Sequence, residues 1–167
     1  QTAAARRLTE AVLRRSESNL ARAQHLSATG SFSYVAETDV LSLSDETRRI
    51  CGFDVALEIS PAAMRDRIHP DDLPLFLEML GSTDREFHFD CRVLLPDGSI
   101  RYLQVIADAV RDDLGRLVEW VGAIRDVTDR KRSEDALNEV RSELAHVARV
   151  ATLGELTAAI AHEINQP

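Results

Sequence analysis

The sequence predicts an α+β domain: an antiparallel five-stranded sheet with short helices, flanked by an N-terminal helix and a C-terminal coiled-coil or bundle helix. Three observations carry this. Residues 86–127 hold three runs of strand periodicity separated by two glycine turns. Residues 2–28 contain neither Gly nor Pro and are rich in Ala, Arg, Leu and Glu, all good helix formers. From Asp129 onward, apolar residues recur at alternating spacings of three and four, the period of a helix that pairs with a partner. The expected organisation is an N-terminal helix over 1–29, an α+β domain over 30–129, and a coiled-coil linker running into a bundle helix over 130–167.

In the first helix Leu13, Leu20 and Ser27 repeat at heptad spacing, and Gly30 is expected to end it as a left-handed cap. Phe32, Tyr34, Leu41 and Leu43 share one parity, which predicts two short strands around a Glu37–Thr38–Asp39 turn. Ser60-Pro61 predicts one helix start and His69-Pro70-Asp71-Asp72 another. In the second, Pro70 takes the first helical position, and the two carboxylates face the free N–H groups and the helix dipole, up to a stop at Gly81. Next, Phe87, Phe89, Cys91 and Val93 alternate with Glu86, His88, Asp90 and Arg92, the pattern of a half-buried strand. Pro96-Asp97-Gly98 and Asp112-Asp113-Leu114-Gly115 turn the chain twice, before strands over 100–110 and 117–127. Thr128 or Asp129 is the expected N-cap of the last helix. There Leu137, Val140, Leu144, Val147, Ala151 and Gly154 form one a/d seam. Val150, Leu153, Thr157, Ile160 and Ile164 form a second, phase-shifted seam that locally over-winds the coil.

Composition narrows the function. Of 167 residues, 44% are hydrophobic and 29% charged, as in globular proteins. The net charge of −8 is concentrated in residues 30–129, where ten Arg face twenty Asp and Glu. That acidity argues against nucleic acid or an anionic membrane as partner. The five Arg of residues 1–29 read first as a solvated helix face. Cys51 and Cys91 lack the spacing of a metal site or a disulfide framework, which favours a reducing, cytoplasmic setting. No run approaches the ~20 apolar residues of a membrane span. Because the chain opens on Gln1, it is read as a fragment, with membrane anchoring of the parent upstream left open.

The residue with most chemical promise is His162. On a wheel of about 100° per residue, Ile160 and Ile164 fall about 160° from it and Leu153 about 180°. The imidazole is therefore expected opposite the apolar seam, beside Ala151, Glu155 and Ala158. A packed core histidine is disfavoured by that geometry; an idle surface histidine is not.

The closing order Ala161-His162-Glu163-Ile164-Asn165-Gln166-Pro167, after Leu153-Gly154-Glu155-Leu156, resembles the H-box of the dimerisation and phosphoacceptor domain of sensor histidine kinases. The resemblance implies that His162 accepts a phosphoryl group from ATP. A neutral imidazole is nucleophilic near neutral pH, which suits that task. It further implies that Glu163 orients the ring and takes its proton, and that Gln166 helps position water for dephosphorylation. Pro167 would kink the helix just past the site.

Upstream, Arg49-Ile50-Cys51-Gly52-Phe53, Ile68-His69-Pro70-Asp71-Asp72, Leu95-Pro96-Asp97-Gly98 and Asp126-Val127-Thr128-Asp129-Arg130-Lys131 are similar to the motifs of a PAS domain. By that resemblance Asp126 and Thr128 transmit signal from the last strand to the exit helix. A cavity, if open, would be lined by Phe87, Phe89, Cys91, Leu103, Val105, Trp120 and Ile124, with its ligand unknown. The Asn-Cys-Arg motif of flavin light sensors is missing, and neither His69 nor His88 is placed as a haem ligand. No cofactor is assigned to this stretch; ATP and Mg belong to an ATP-binding domain beyond Pro167. The expected partners are a second copy, through the N-terminal and C-terminal helices, and a response-regulator receiver domain. The expected function is the sensory and dimerising part of a protein-histidine kinase, inactive by itself. Two alternatives stay open: a dimerisation module regulating a non-kinase output, and a cofactor-holding redox or light sensor.

Overall fold

The computed structural model describes the backbone of residues 2–80 and 86–164, and the side chains of residues 5–78 and 86–153. Two compact units result, Gln1–Thr128 and Asp129–Pro167. The first opens with helix α1 (Thr2–Leu26), followed by β1 (Thr29–Val35), β2 (Val40–Leu43), α2 (Asp45–Ile50), α3 (Pro61–Arg67), α4 (Leu73–Leu80), β3 (Glu86–Leu94), β4 (Ile100–Arg111) and β5 (Leu117–Asp126). Helix α5 (Thr128–Ile164) forms the second.

The five strands make one sheet in the order β2-β1-β5-β4-β3, every pair antiparallel. The first strand thus lies beside the last, and the helical segment α2–α4 connects the outer strands β2 and β3. The β3–β4 hairpin closes on the expected Pro96-Asp97-Gly98 turn. Gly98 takes φ +82°, and the Asp97 carboxylate accepts from the Ser99 amide at 2.8 Å.

Side chains follow the pleat. Phe89, Cys91, Val93, Leu103, Val105 and Ile124 point to one face and meet Ile50 and Cys51 from the α2 end. Each buried large apolar side chain contributes roughly 1.5–3 kcal/mol of transfer free energy, so this layer is the main source of stability. Ser44 caps α2, accepting from the Thr47 amide, and Ser60 caps α3, accepting from the Ala63 amide.

Three sequence expectations are corrected. Gly30 does not end α1: the helix stops at Leu26, and Ala28, at φ +48°, makes the left-handed turn. Gly30 lies inside β1, buried, where a Cβ would stand 2.7 Å from the Cα of Thr47 and closer still to its Oγ1. Its missing side chain is needed for close approach and not for a cap. Second, α4 begins at Leu73, after His69-Pro70-Asp71-Asp72, and has no acidic residue in its first turn. Asp72 instead reaches β3: Arg92 donates to it from the backbone amide at 2.7 Å, from Nε at 3.0 Å and from Nη2 at 2.7 Å. A bidentate guanidinium–carboxylate bond is stronger than an interaction with the diffuse helix dipole, so the tertiary partner wins. Third, Thr128 is not a cap ahead of α5 but already its first residue, and its amide donates to the Asp126 carboxylate at 2.9 Å. Gly81, at the expected stop of the preceding helix, lies outside the described residues.

Candidate functional site

The concave face of the sheet and the α3–α4 segment enclose a pocket with a void of about 70 Å³. All seven residues expected to line a cavity do so: Phe87, Phe89, Cys91, Leu103, Val105, Trp120 and Ile124. The sequence reading missed the contributions of Phe32, Tyr34, Leu41 and Leu43 from β1 and β2, and of Pro61, Met64, Arg65, Ile68 and Phe76 from the helical side. The shared parity of the β1–β2 residues was a usable signal for the first group. The second had none, because helices this short carry no readable face.

The lining is almost wholly carbon. Phe87 meets Trp120 edge-on at 5.0 Å between ring centroids, and Phe76 of α4 meets Phe89 of β3 at 6.2 Å. Gly122 makes the floor possible: a Cβ there would stand 2.6 Å from the Phe32 ring, which lies across it. Burial raises the pKa of the Tyr34 hydroxyl, and its donation to Asp39 at 3.0 Å adds to the effect. Cys51 and Cys91 are buried free thiols, pushed up to about 12 chiefly by burial, so neither is a nucleophile at neutral pH. His69 and His88 do not line the pocket. The His69 Nδ1 accepts from the Asp71 amide at 3.3 Å, and the His88 ring bonds Glu86 at 2.8 Å. Among the described residues no cluster of three or more His, Cys, Asp or Glu is arranged to hold a metal ion.

A second feature lies at the end of β5. The Thr128 hydroxyl accepts from the Tyr102 amide of β4 at 3.0 Å and donates to the Asp126 carboxylate at 2.5 Å. Val127, between them, donates its amide to the Tyr102 carbonyl at 2.9 Å. Thr128 is 6% exposed although it begins a solvated helix, so the first residue of α5 is fastened into the sheet. Arg101, which sequence reasoning did not single out, bridges this junction to α2. Its Nη1 donates to the carbonyls of Arg49 at 3.0 Å and Ile50 at 2.8 Å, and its Nε lies 3.7 Å from Asp126. Only the strand register, which is not legible in the sequence, sets Arg101 beside Asp126.

On α5 itself, Leu137, Val140, Leu144 and Val147 are between 50% and 64% exposed, an apolar seam without a cover in the single chain. His162 and Glu163 fall within the helical backbone of α5, but their side chains, and Gln166 and Pro167 entirely, lie outside the described residues. The expected outward turn of the His162 ring is therefore not part of the described geometry. No described helix is long and apolar enough to cross a membrane.

Comparison with known proteins agrees with this architecture. The family model described as PAS fold matches residues 40–124. The sensor histidine kinase TmoS of Ectopseudomonas mendocina is 27% identical over 135 residues, covering 78% of this chain and 14% of TmoS. The sensor protein FixL of Bradyrhizobium diazoefficiens is 44% identical over 48 residues, covering 29% of this chain and 10% of FixL. The chain thus spans a small part of the length of the curated relatives it matches. Among solved structures, a sensory box histidine kinase/response regulator from Burkholderia thailandensis superimposes with a TM-score of 0.62 at 30% identity, covering 74% of this chain and 95% of that one. Matched segment, sheet order and pocket converge: the chain belongs to the PAS fold family, and its sensory domain is homologous to segments of sensor histidine kinases.

Proposed function

We propose that this chain is the sensory and dimerising region of a two-component sensor histidine kinase, in which the state of the pocket governs phosphorylation of His162 on α5. The observation that carries the reading is the junction Asp126–Thr128. Through it β5, which contributes Trp120 and Ile124 to the pocket, passes into α5 across the single residue Val127. A strand shift of a few tenths of an ångström has no slack loop in which to dissipate, so it reaches the helix as rotation or splay.

The partners follow from the same elements. A second copy would cover the seam Leu137–Val140–Leu144–Val147, and the exposed Leu13 and Leu20 of α1 suit the same role at the other end. In the dimer His162, diametrically opposite the second seam on the helical wheel, would face an ATP-binding domain that supplies ATP and Mg. Glu163 would hold the ring and take its proton, Gln166 would orient water for dephosphorylation, and a receiver domain would take the phosphoryl group. Residues 1–29, 30–129 and 130–167 serve in this scheme as input helix, sensor, and linker with phosphoacceptor helix.

The test is autophosphorylation of the intact kinase with radiolabelled ATP, scored as acid-labile phosphate. His162→Gln should abolish the label, while His146→Gln, on the same helix, should leave it. Undiminished labelling of His162→Gln would make this histidine an idle surface group and remove the kinase reading.

A further inference from the structure

We propose that the pocket takes a neutral aromatic hydrocarbon of about one ring, held by a carbon wall that offers no partner to a polar substituent. This rests on the sensory reading above and deepens it by naming the ligand class.

Size comes first. A void of about 70 Å³ holds about five to seven water-sized sites, close to the atoms of one six-membered ring and too few for two fused rings. Water is a poor occupant, because an enclosed water needs two to four polar partners. The surface facing this void is almost wholly carbon. A cavity of that kind stays dry and takes up small apolar molecules.

The wall also sets the shape. Aromatic residues are 5% of the chain, yet four of its five phenylalanines (Phe32, Phe76, Phe87 and Phe89) and its single tryptophan, Trp120, gather round this one void. Aromatic rings attract one another edge to face or offset-stacked. Phe87 and Trp120 already meet edge-on at 5.0 Å, and a flat guest ring extends the same contact. Met64 and Cys91 add sulfur, which likewise favours an aromatic neighbour.

The same wall excludes charge and polarity. Because the surface it presents is nearly all carbon, Arg65 contributes its methylene stem and Trp120 its ring. The Tyr34 hydroxyl is already given to Asp39, and that carboxylate, beside a lining residue, opposes an anion. No Asp or Glu lines the pocket to balance a cation. A hydroxyl or carboxylate on the ligand would leave water without finding a partner, a loss that a bare hydrocarbon does not suffer.

Trp120 is the only tryptophan of the chain and lines the pocket, so its emission reports occupancy. The 167-residue chain would be titrated with benzene, phenol and benzoate, by emission and by calorimetry. Benzene should bind, phenol at least about tenfold more weakly, and benzoate not at all. Val105→Phe, which puts a ring into the void, should abolish benzene binding. Met64→Ala, at a half-buried position of α3, should enlarge the void and take naphthalene at least about tenfold more tightly than the wild type. The ligand class is overturned if benzene fails to bind, if phenol or benzoate equals it, or if Val105→Phe leaves its affinity unchanged. Should Val105→Phe not fold, equal naphthalene affinity in Met64→Ala and the wild type overturns it instead. The sensory reading is tested apart, by His162 labelling of the intact kinase with and without benzene. Benzene that binds and leaves the label unchanged removes the pocket's control of the kinase, while the ligand class stands.

Discussion

Thr128→Val is the most informative single substitution, because it changes one atom at the point where sheet becomes helix. Valine keeps the shape of the side chain and removes only the hydroxyl, which now accepts from the Tyr102 amide and donates to Asp126. Thr128 is 6% exposed, so the Tyr102 N–H would face a methyl group with little access to water. Leaving such a donor unpaired costs about 1–3 kcal/mol. The Asp126 carboxylate keeps the Thr128 amide at 2.9 Å and is partly solvated, which limits its own loss. The expected destabilisation is therefore about 2 kcal/mol, a fall in Tm of roughly 10 °C for a domain of this size. Thr128→Ser is the control. It keeps the hydroxyl and loses one buried methyl, about 0.8 kcal/mol. Thermal unfolding of both variants, followed by circular dichroism, decides the matter. Should Thr128→Val prove as stable as the wild type, or no worse than Thr128→Ser, the hydroxyl does not hold the junction and the coupling argued from it loses its physical basis.

Three further outcomes are expected. Gly30→Ala should prevent stable folding or cost at least about 3 kcal/mol in urea unfolding, since its Cβ meets the backbone of the fully buried Thr47, which cannot move aside. Arg92 holds the pKa of Asp72 below its ordinary value of 3.8. The stability this ion pair contributes is thus complete above about pH 4 and is lost as the pH falls through the depressed value. Asp72→Asn should flatten that acid limb in urea midpoints measured from about pH 6 to pH 2, leaving a smaller, pH-independent deficit. Finally, Leu144→Lys with Val147→Lys on the exposed seam should weaken self-association by more than about tenfold, read by sedimentation, while the thermal midpoint of the PAS domain stays within about 2 °C. Unaltered association would place the dimer contact elsewhere.

Residues far apart in the chain decide different things from residues near one another. Elements written in local chemistry were legible without a structure. The alternation from Phe87 to Val93, the turn at Pro96-Asp97-Gly98, the cap at Ser60 and the glycine-free α1 all appear where periodicity and turn residues place them. Seven of the pocket residues were also named from the sequence, and within β3 the alternation of Phe87, Phe89 and Cys91 shows why: a pleat sends alternate side chains to one face whatever it pairs with. The resemblance of the end of α5 to an H-box is likewise a matter of local order, and the side chains concerned lie outside the described residues.

Tertiary structure decided what depends on which segments meet. Gly30 reads as a helix cap in isolation, and only the approach of Thr47 from α2 reveals it as a contact glycine. Asp71 and Asp72 read as dipole partners until Arg92 of β3 arrives with a stronger, two-pronged bond. Arg101 has no local signature, and the order β2-β1-β5-β4-β3 alone gathers it with Arg49, Ile50 and Asp126 at the exit. Sequence determined the secondary elements and the polarity of their faces, since those depend on residues a few positions apart. The pairing of strands across long stretches of chain determined which polar groups found partners.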